Sequence, residues 1–358
     1  MNRRLPLLLI LLLTGCSQYR ANYHNARGAD LWRSEQPWLA LVEFDQALKL
    51  NPGMAEAYNN LGLALQDIDH LEEAVEAYRS ALRLEPGLAE AHYNLAFLYD
   101  ELQMVPQAIK EYENAIELEP DDALANVNLA TLLHRVGRSA EGLPYARRAV
   151  ALTPEDASAW MALGRAQLSG ESWADAEGAW RRSLALGGDP RTCNRNLAEA
   201  LRAQGELEDA EALLRQIVRE DPDDAGAVMA LGRVLFAAGD FAGAIEHLEQ
   251  ATRVRRDLTE AHRLLGQVYY RLGQPDSAMA SLRRVLEIDG ADVVALTDMA
   301  RIYRERGRWE EAEALLARAL EARPEDVVAL RALAAVLGRD DARAAEAARY
   351  TAMADALE

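Results

Sequence analysis

An all-α solenoid of stacked helix pairs is what this sequence predicts, and three observations carry the prediction. Half of the 358 residues are apolar but only 6% are aromatic, and the excess of Ala, Leu, Arg and Glu favours helices over sheets. Prolines recur at Pro52, Pro86, Pro120, Pro154, Pro222 and Pro324 on one 34-residue grid, whose vacant points are Gly188, Arg256 and Gly290. Small and large apolar residues keep that register through nine repeats without an insertion. Such a period marks a repeat architecture, in which each unit buries its apolar face only by stacking on its neighbours.

The amino terminus comes first. Arg3 and Arg4 precede an apolar run from Leu5 to Leu13, which leads into Leu13-Thr14-Gly15-Cys16. The run is far shorter than the roughly 20 residues that span a bilayer, so 1–15 reads as a signal peptide. The Leu-Thr-Gly-Cys box resembles the lipobox of bacterial lipoproteins. That resemblance implies a diacylglycerol on the Cys16 thiol, cleavage after Gly15 and acylation of the new amino terminus, several chains together anchoring stably. Ser17 is similar to the sorting residue of outer-membrane lipoproteins, which implies a location on that membrane, facing the periplasm. Residues 16–20 are expected to be a short lipidated tether that keeps the folded part close to the bilayer.

Repeats follow from Ala21. Units start at Ala21, Ala55, Ala89, Ala123, Ala157, Arg191, Ala225, Thr259 and Val293, so that 21–326 holds nine repeats and 327–358 a partial tenth with a capping helix. Apolar positions three and four apart describe two amphipathic helices per unit. A small residue lies ten places after each grid point, from Gly62 to Ala334, preceded by a large apolar one, from Leu61 to Leu333; a second small position runs from Ala40 to Ala312. Gly137, Gly205, Gly239, Gly273 and Gly307 fall between the two helices, where a left-handed residue ends the first helix at low steric cost. Each proline stops the second helix and disfavours helical geometry in its predecessor. Gly62 and Ala74 are expected to be small because helix backbones approach closely there. Gly187-Gly188-Asp189-Pro190, which ends the fifth unit, is expected to be a bend or a softer joint.

Tyr58, Leu61, Gly62, Ala74, Tyr78, Ala81 and Pro86 resemble the tetratricopeptide repeat family, with Asn126, Asn194 and Val228 departing from its first aromatic. The resemblance implies a right-handed superhelix whose concave groove is lined by each unit's first helix, and a protein-binding scaffold. In that groove it places a row of asparagines, Asn60, Asn94, Asn128 and Asn196. An amide can pair with any peptide backbone, as a similar ladder does in O-linked N-acetylglucosamine transferases; bonds within or between the helices are the alternative. The early groove carries Glu56, Asp67, Glu90, Asp100 and Glu101 against Arg33 and Arg135. The later groove carries Arg195, Arg202, Arg233, Arg263, Arg271, Arg301, Arg304, Arg331 and Arg339 against Glu199, Glu260, Asp298 and Glu305. Guanidinium groups bind carboxylates through two parallel bonds, so acidic segments of envelope proteins are the expected partners, internal ion pairs being the alternative. Trp32, Phe97, Phe236 and Tyr270 are candidate apolar anchors.

Other functions find little support. A formal charge of −19 disfavours nucleic acid and broad adhesion to anionic headgroups. With Cys16 lipidated, Cys193 has no disulfide partner and is expected to be an ordinary thiol. Six histidines are dispersed without metal-ligand spacing; His92 and His262, at the aromatic position, are expected to pack in the core. No nucleophile elbow or phosphate-cradling loop occurs. Neither a catalytic residue, a metal, a cofactor nor a small-molecule substrate is expected. Lipoproteins with such repeats serve as pilotins of pilus secretins, adaptors of cell-wall enzymes or subunits of exopolysaccharide export; a glycan-binding envelope protein is the remaining alternative.

Overall fold

The computed structural model describes the backbone of residues 5–357 and the side chains of residues 17–357. The expected lipidation of Cys16 and the side chains of the expected signal peptide therefore lie outside the described residues. Among those described, every element is helical and no strand occurs. The helices pair as expected. α1 (Leu5–Arg33) and α2 (Pro37–Leu50) form the first hairpin, followed by α3 and α4 (Ala55–Asp67, Leu71–Leu84) and α5 and α6 (Ala89–Glu101, Val105–Leu118). Next come α7 and α8 (Ala123–Arg135, Ser139–Leu152) and α9 and α10 (Trp173–Ala185 being α10, Ala157–Ser169 α9). The later hairpins are α11 and α12 (Pro190–Gln204, Leu207–Glu220), α13 and α14 (Ala225–Ala238, Phe241–Val254) and α15 and α16 (Thr259–Arg271, Pro275–Ile288). α17 and α18 (Val293–Glu305, Trp309–Ala322) and α19 and α20 (Val327–Leu337, Ala344–Asp355) complete the chain. The chain divides into two compact units, one ending at Gly188 and one beginning at Asp189, so the division falls in the expected joint. No helix among the described residues is long and apolar enough to cross a membrane.

Local chemistry sets the boundaries. Asp122, Asp156, Asp189, Asp224, Asp292 and Asp326 precede first helices and accept hydrogen bonds from their opening backbone N–H groups, which otherwise lack partners. Second helices end on extended residues: Asn51, Asp221 and Arg323, each before a proline, have φ near −142° and ψ near 91°. Arg255 and Asp289 are extended too, although no proline follows them. Repeat stacking therefore holds the turn where proline's steric push is missing. The five interhelix glycines have φ between +67° and +87°, as expected.

In five hairpins a first-helix glycine closes on one large side chain of the second helix. Phe44, Tyr78 and Trp180 are buried in second helices against Gly28, Gly62 and Gly164 of the first helices. A Cβ at Gly62 would sit 2.5 Å from the Tyr78 ring. At Gly62 the tightest approach is thus to an aromatic face, while the expected approach of backbones shows at Gly142, the equivalent of Ala74, where a Cβ would lie 3.1 Å from Ala130 O. In the later unit Leu248 and Leu282 replace the rings over Gly232 and Gly266.

Residues 17–20, the expected tether, belong to α1. Ser17 Oγ donates to Leu50 O at 2.8 Å and Asn51 Nδ2 to Gln18 Oε1 at 2.9 Å, which ties this stretch to the end of α2. At the other end a short 3-10 turn (Asp341–Arg343) precedes α20, whose Tyr350 packs on the terminal apolar cluster.

Candidate protein-binding surface

First helices of successive hairpins pack side by side: α1, α3, α5, α7 and α9 in the earlier unit, and α11, α13 and α15, then α17 with α19, in the later one. Their side chains meet at a spacing of 35 residues, one repeat plus one. Asn60 Nδ2 donates to Asn25 Oδ1 at 3.0 Å, Asn94 Nδ2 to Asn59 Oδ1 at 3.0 Å, and Asn128 Nδ2 to the Tyr93 hydroxyl at 3.1 Å. Asn196 instead donates to Thr192 O at 2.8 Å within its own helix. Asn94 is buried; Asn60, Asn128 and Asn196 are half-buried. The asparagine row thus joins repeats, and what it can offer a ligand is the second N–H and the carbonyl oxygens of its half-buried members.

The early acids follow the same rule. Trp32 Nε1 donates to Asp67 at 2.6 Å, Gln66 Nε2 to Glu101 at 2.7 Å, and Arg135 pairs with Asp100. Arg33 turns to Asp30 at 3.0 Å. Phe97 is exposed, whereas the Trp32, Phe236 and Tyr270 rings are half-buried, Phe236 against Phe241.

Arginines of the later unit divide into two groups. Arg202 forks onto Glu199 through Nε and Nη2, Arg233 bridges Glu199 at 3.0 Å and Glu260 at 2.8 Å, Arg263 meets Asp292 at 2.7 Å and Arg301 meets Asp298 at 2.7 Å. Arg301 also lies 4.3 Å over the Tyr270 ring, and Arg339 lies 4.5 Å over Trp309. Arg331 reaches Asp355 at 3.3 Å. Arg195, Arg271 and Arg304 form no ion pair among the described residues. Of the arginines expected in this groove, these three have neither an ion pair nor a ring contact among the described residues, Arg339 having only the Trp309 ring.

The pairs are incompletely satisfied. Nε of Arg233, Arg263 and Arg301 and Oδ2 of Asp298 are buried without a hydrogen-bond partner among the described residues, and each such group costs free energy until something pairs with it. Burial pushes the Asp298 carboxyl above its usual range, against the opposing pull of Arg301, Gln267 and Arg263. Burial also acts to raise Glu199, but the Arg202 hydrogen bond and the charges of Arg233 and Arg202 more than offset it and hold that carboxyl low. Two cavities open beside them. One of about 390 Å³ lies among Phe236, Gln267, Tyr270, Arg271, Asp298 and Arg301. Another of about 290 Å³ has Thr297, Arg301, Arg304 and Arg331 around Leu316 and Val336. Asp292, Gln267 and Thr297 escaped sequence reasoning; for Asp292 the signal was its position as the acid opening a first helix.

Two chemical expectations need correction. His92 is not simple core: Nδ1 meets Glu111 at 2.6 Å and Nε2 meets Pro86 O at 3.1 Å. Both contacts are to acceptors, so the ring binds best with both nitrogens protonated, and its pKa is raised, chiefly by the Glu111 bond. His262 likewise meets Arg256 O at 3.1 Å. Asn126 and Trp160, at the same repeat position, donate to Pro120 O at 3.2 Å and Pro154 O at 2.9 Å. This position therefore tolerates His, Asn and Trp because each carries an N–H for the inter-repeat loop. Cys193 is fully buried at a position held by alanine in most other repeats. No group of three or more His, Cys, Asp or Glu among the described residues could hold a metal ion.

Stacked helix pairs, a 34-residue period and these inner faces define a repeat scaffold. Tetratricopeptide repeats are present in this chain: 54–84, 89–122, 229–293 and 269–337 match tetratricopeptide repeat families, and 143–257 matches the cytochrome c-type biogenesis protein H TPR domain. No curated protein matches the sequence. Among solved structures, a monomeric IFIT1 mutant with Gppp-AAAA aligns at 16% identity over 94% of this chain and 90% of its own, with a TM-score of 0.53. Two structures of MamA align at 18% identity over 45% and 47% of this chain and 94% and 92% of theirs, each with a TM-score of 0.41. At such identities the likeness concerns the fold alone.

Proposed function

We propose that this chain is a lipid-anchored envelope scaffold whose later unit captures acidic segments of partner proteins during assembly of an envelope complex. Tetratricopeptide arrays are the architecture of protein–protein interaction, and the match to the repeat domain of a cytochrome c biogenesis protein fits an adaptor. The Leu-Thr-Gly-Cys box supports the anchor at Cys16. One observation carries the partner chemistry. In a chain with 58 acidic and 39 basic residues, Arg195, Arg271 and Arg304 still lack an ion pair, and the latter two line the cavities. A carboxylate entering there meets a guanidinium that no internal acid has neutralised.

Replacing Arg271 and Arg304 with Gln tests this without breaking an internal pair, unlike changes at Arg233, Arg263 or Arg301. Each charge-assisted bond lost costs roughly 1.5–3 kcal/mol, so recovery of partners by crosslinking in the envelope is expected to fall about tenfold or more, and the crosslinked segments should be rich in Asp and Glu. Unchanged recovery would remove the case for an acidic partner. For the anchor, fatty-acid labelling is expected to vanish in Cys16→Ala; labelling that survives defeats it.

A further inference from the structure

We infer that the first helix pair is itself a membrane-docking surface, with Tyr19, Tyr23, Trp38, Leu39 and Val42 seated at the boundary between lipid headgroups and acyl chains. All five are more than half exposed. Elsewhere among the described residues only Leu124 and Val328 are large apolar side chains of comparable exposure, and each stands singly.

Comparison between repeats shows how far the first one departs. Tyr23 occupies the third position of its unit; the equivalents are Ala57, Ala91, Ala125, Ala159, Cys193, Ala227, Ala261, Ala295 and Ala329, all fully buried. In the first repeat a tyrosine, more than half exposed, stands where every other unit has a small residue under cover. At the position of Trp38 later second helices carry Glu72, Glu208, Asp276 and Glu310, and at that of Leu39 they carry Glu73, Glu141, Asp209 and Glu311. The remaining equivalents of Trp38 in the complete repeats are the small Pro106, Ala140, Ala174 and Ala242, and those of Leu39 are Gln107, Asp175, Gly243 and Ser277, so among these repeats the first alone places large apolar side chains at both positions.

Lipid is the occupant that location and charge select. Positions 16, 19 and 23 of α1 follow three- and four-residue spacing, so the anchor position shares a helical stripe with Tyr19 and Tyr23. Ser17 and Gln18 are already tied to the end of α2, which leaves no slack between an acylated Cys16 and the hairpin. Trp and Tyr, with an apolar body and a polar tip, favour the headgroup level. The acidity of the chain stops short of this hairpin: from Ser17 to Leu50, Arg20, Arg27, Arg33 and Lys49 balance Asp30, Glu35, Glu43 and Asp45. The docking face rests on the reading of Cys16 as the anchor, and the two can fail separately.

The full chain is bound to phosphatidylcholine vesicles, plain or brominated near the top of the acyl chains, and tryptophan emission is compared. Emission should be quenched on brominated lipid, and the quenched part should largely disappear in Trp38→Phe, which isolates Trp38 from the other five tryptophans. The variant Tyr23→Ser, Leu39→Ser, Val42→Ser keeps both Cys16 and Trp38, and should lose at least half of the Trp38 quenching at unchanged helical circular dichroism. Equal Trp38 emission on both lipids overturns the proposal, and so does a self-association through this hairpin that shields Trp38 from lipid. The mass of the amino-terminal peptide reads acylation independently. If it shows none, the anchor falls, while Trp38 quenching at high vesicle concentration still decides the docking face.

Discussion

Between the two helices of each of nine hairpins the backbone passes through one residue of positive φ. Five of these are glycines, but Glu35, Asp69, Gln103 and Glu171 hold φ between +56° and +63°. A side chain there costs roughly 1–2 kcal/mol, partly returned because glycine loses more backbone entropy on folding. Gln103→Gly and Glu171→Gly are therefore expected to stabilise by up to about 1 kcal/mol each, read as a higher urea midpoint; an unchanged or lower midpoint would show that no strain is stored there. Five of the nine positions were legible as glycines. The other four were not, because Glu and Gln carry no local signal for a left-handed residue, and the register of the hairpin imposes it.

At the scale of the element, the α5–α6 hairpin carries a polar clasp. His92 is raised above its usual value by Glu111, and Glu111, which burial by itself would raise, is held below its usual value by the His92 and Asn114 hydrogen bonds. The raised histidine contributes stability that is full below its unfolded value and is lost as pH rises through its folded one. The lowered glutamate contributes stability that is full above its unfolded value and is lost on acidification. Both contributions coexist between the ordinary ranges of Glu and His, near 4.5 and 6.5, and the histidine's share extends somewhat above the latter. The stability gap between wild type and His92→Phe should thus be larger at about pH 5.5 than at about pH 9; a gap independent of pH would show that the ring acts only by packing. The repeat pattern marked this position as aromatic. Its function as an N–H donor to the loop was hidden, because the carbonyl it serves is presented only once one hairpin stacks on the next.

Over the whole molecule the dominant electrostatic fact is the charge of −19. Exposed ion pairs are worth about 0–1 kcal/mol each, whereas surplus like charge opposes the compact state. Salt screens both, and the imbalance is the larger. Raising sodium chloride from about 0.02 M to about 0.5 M, which shortens the Debye length to a few ångströms, is therefore expected to raise the thermal midpoint. A midpoint that falls would mean that the arginine pairs of the later unit outweigh the general repulsion.

The amino-acid order alone determined the all-α class, the 34-residue period, the starts of the first helices to within one residue from Ala55 onward, and five of the left-handed turns, since each follows from spacing, proline and glycine acting locally. The tertiary structure decided which polar groups are spent. It turned Asn60, Asn94 and Asn128 into rungs between repeats, engaged Arg202, Arg233, Arg263 and Arg301 with Glu199, Glu260, Asp292 and Asp298, and left Arg195, Arg271 and Arg304 without ion pairs. The reason is geometric: the asparagine bonds and the ion pairs of Arg233 and Arg263 reach from one hairpin to the next, so those partners are set by a stacking that no single repeat contains, whereas Arg202 and Arg301 pair with acids three residues away on their own helices.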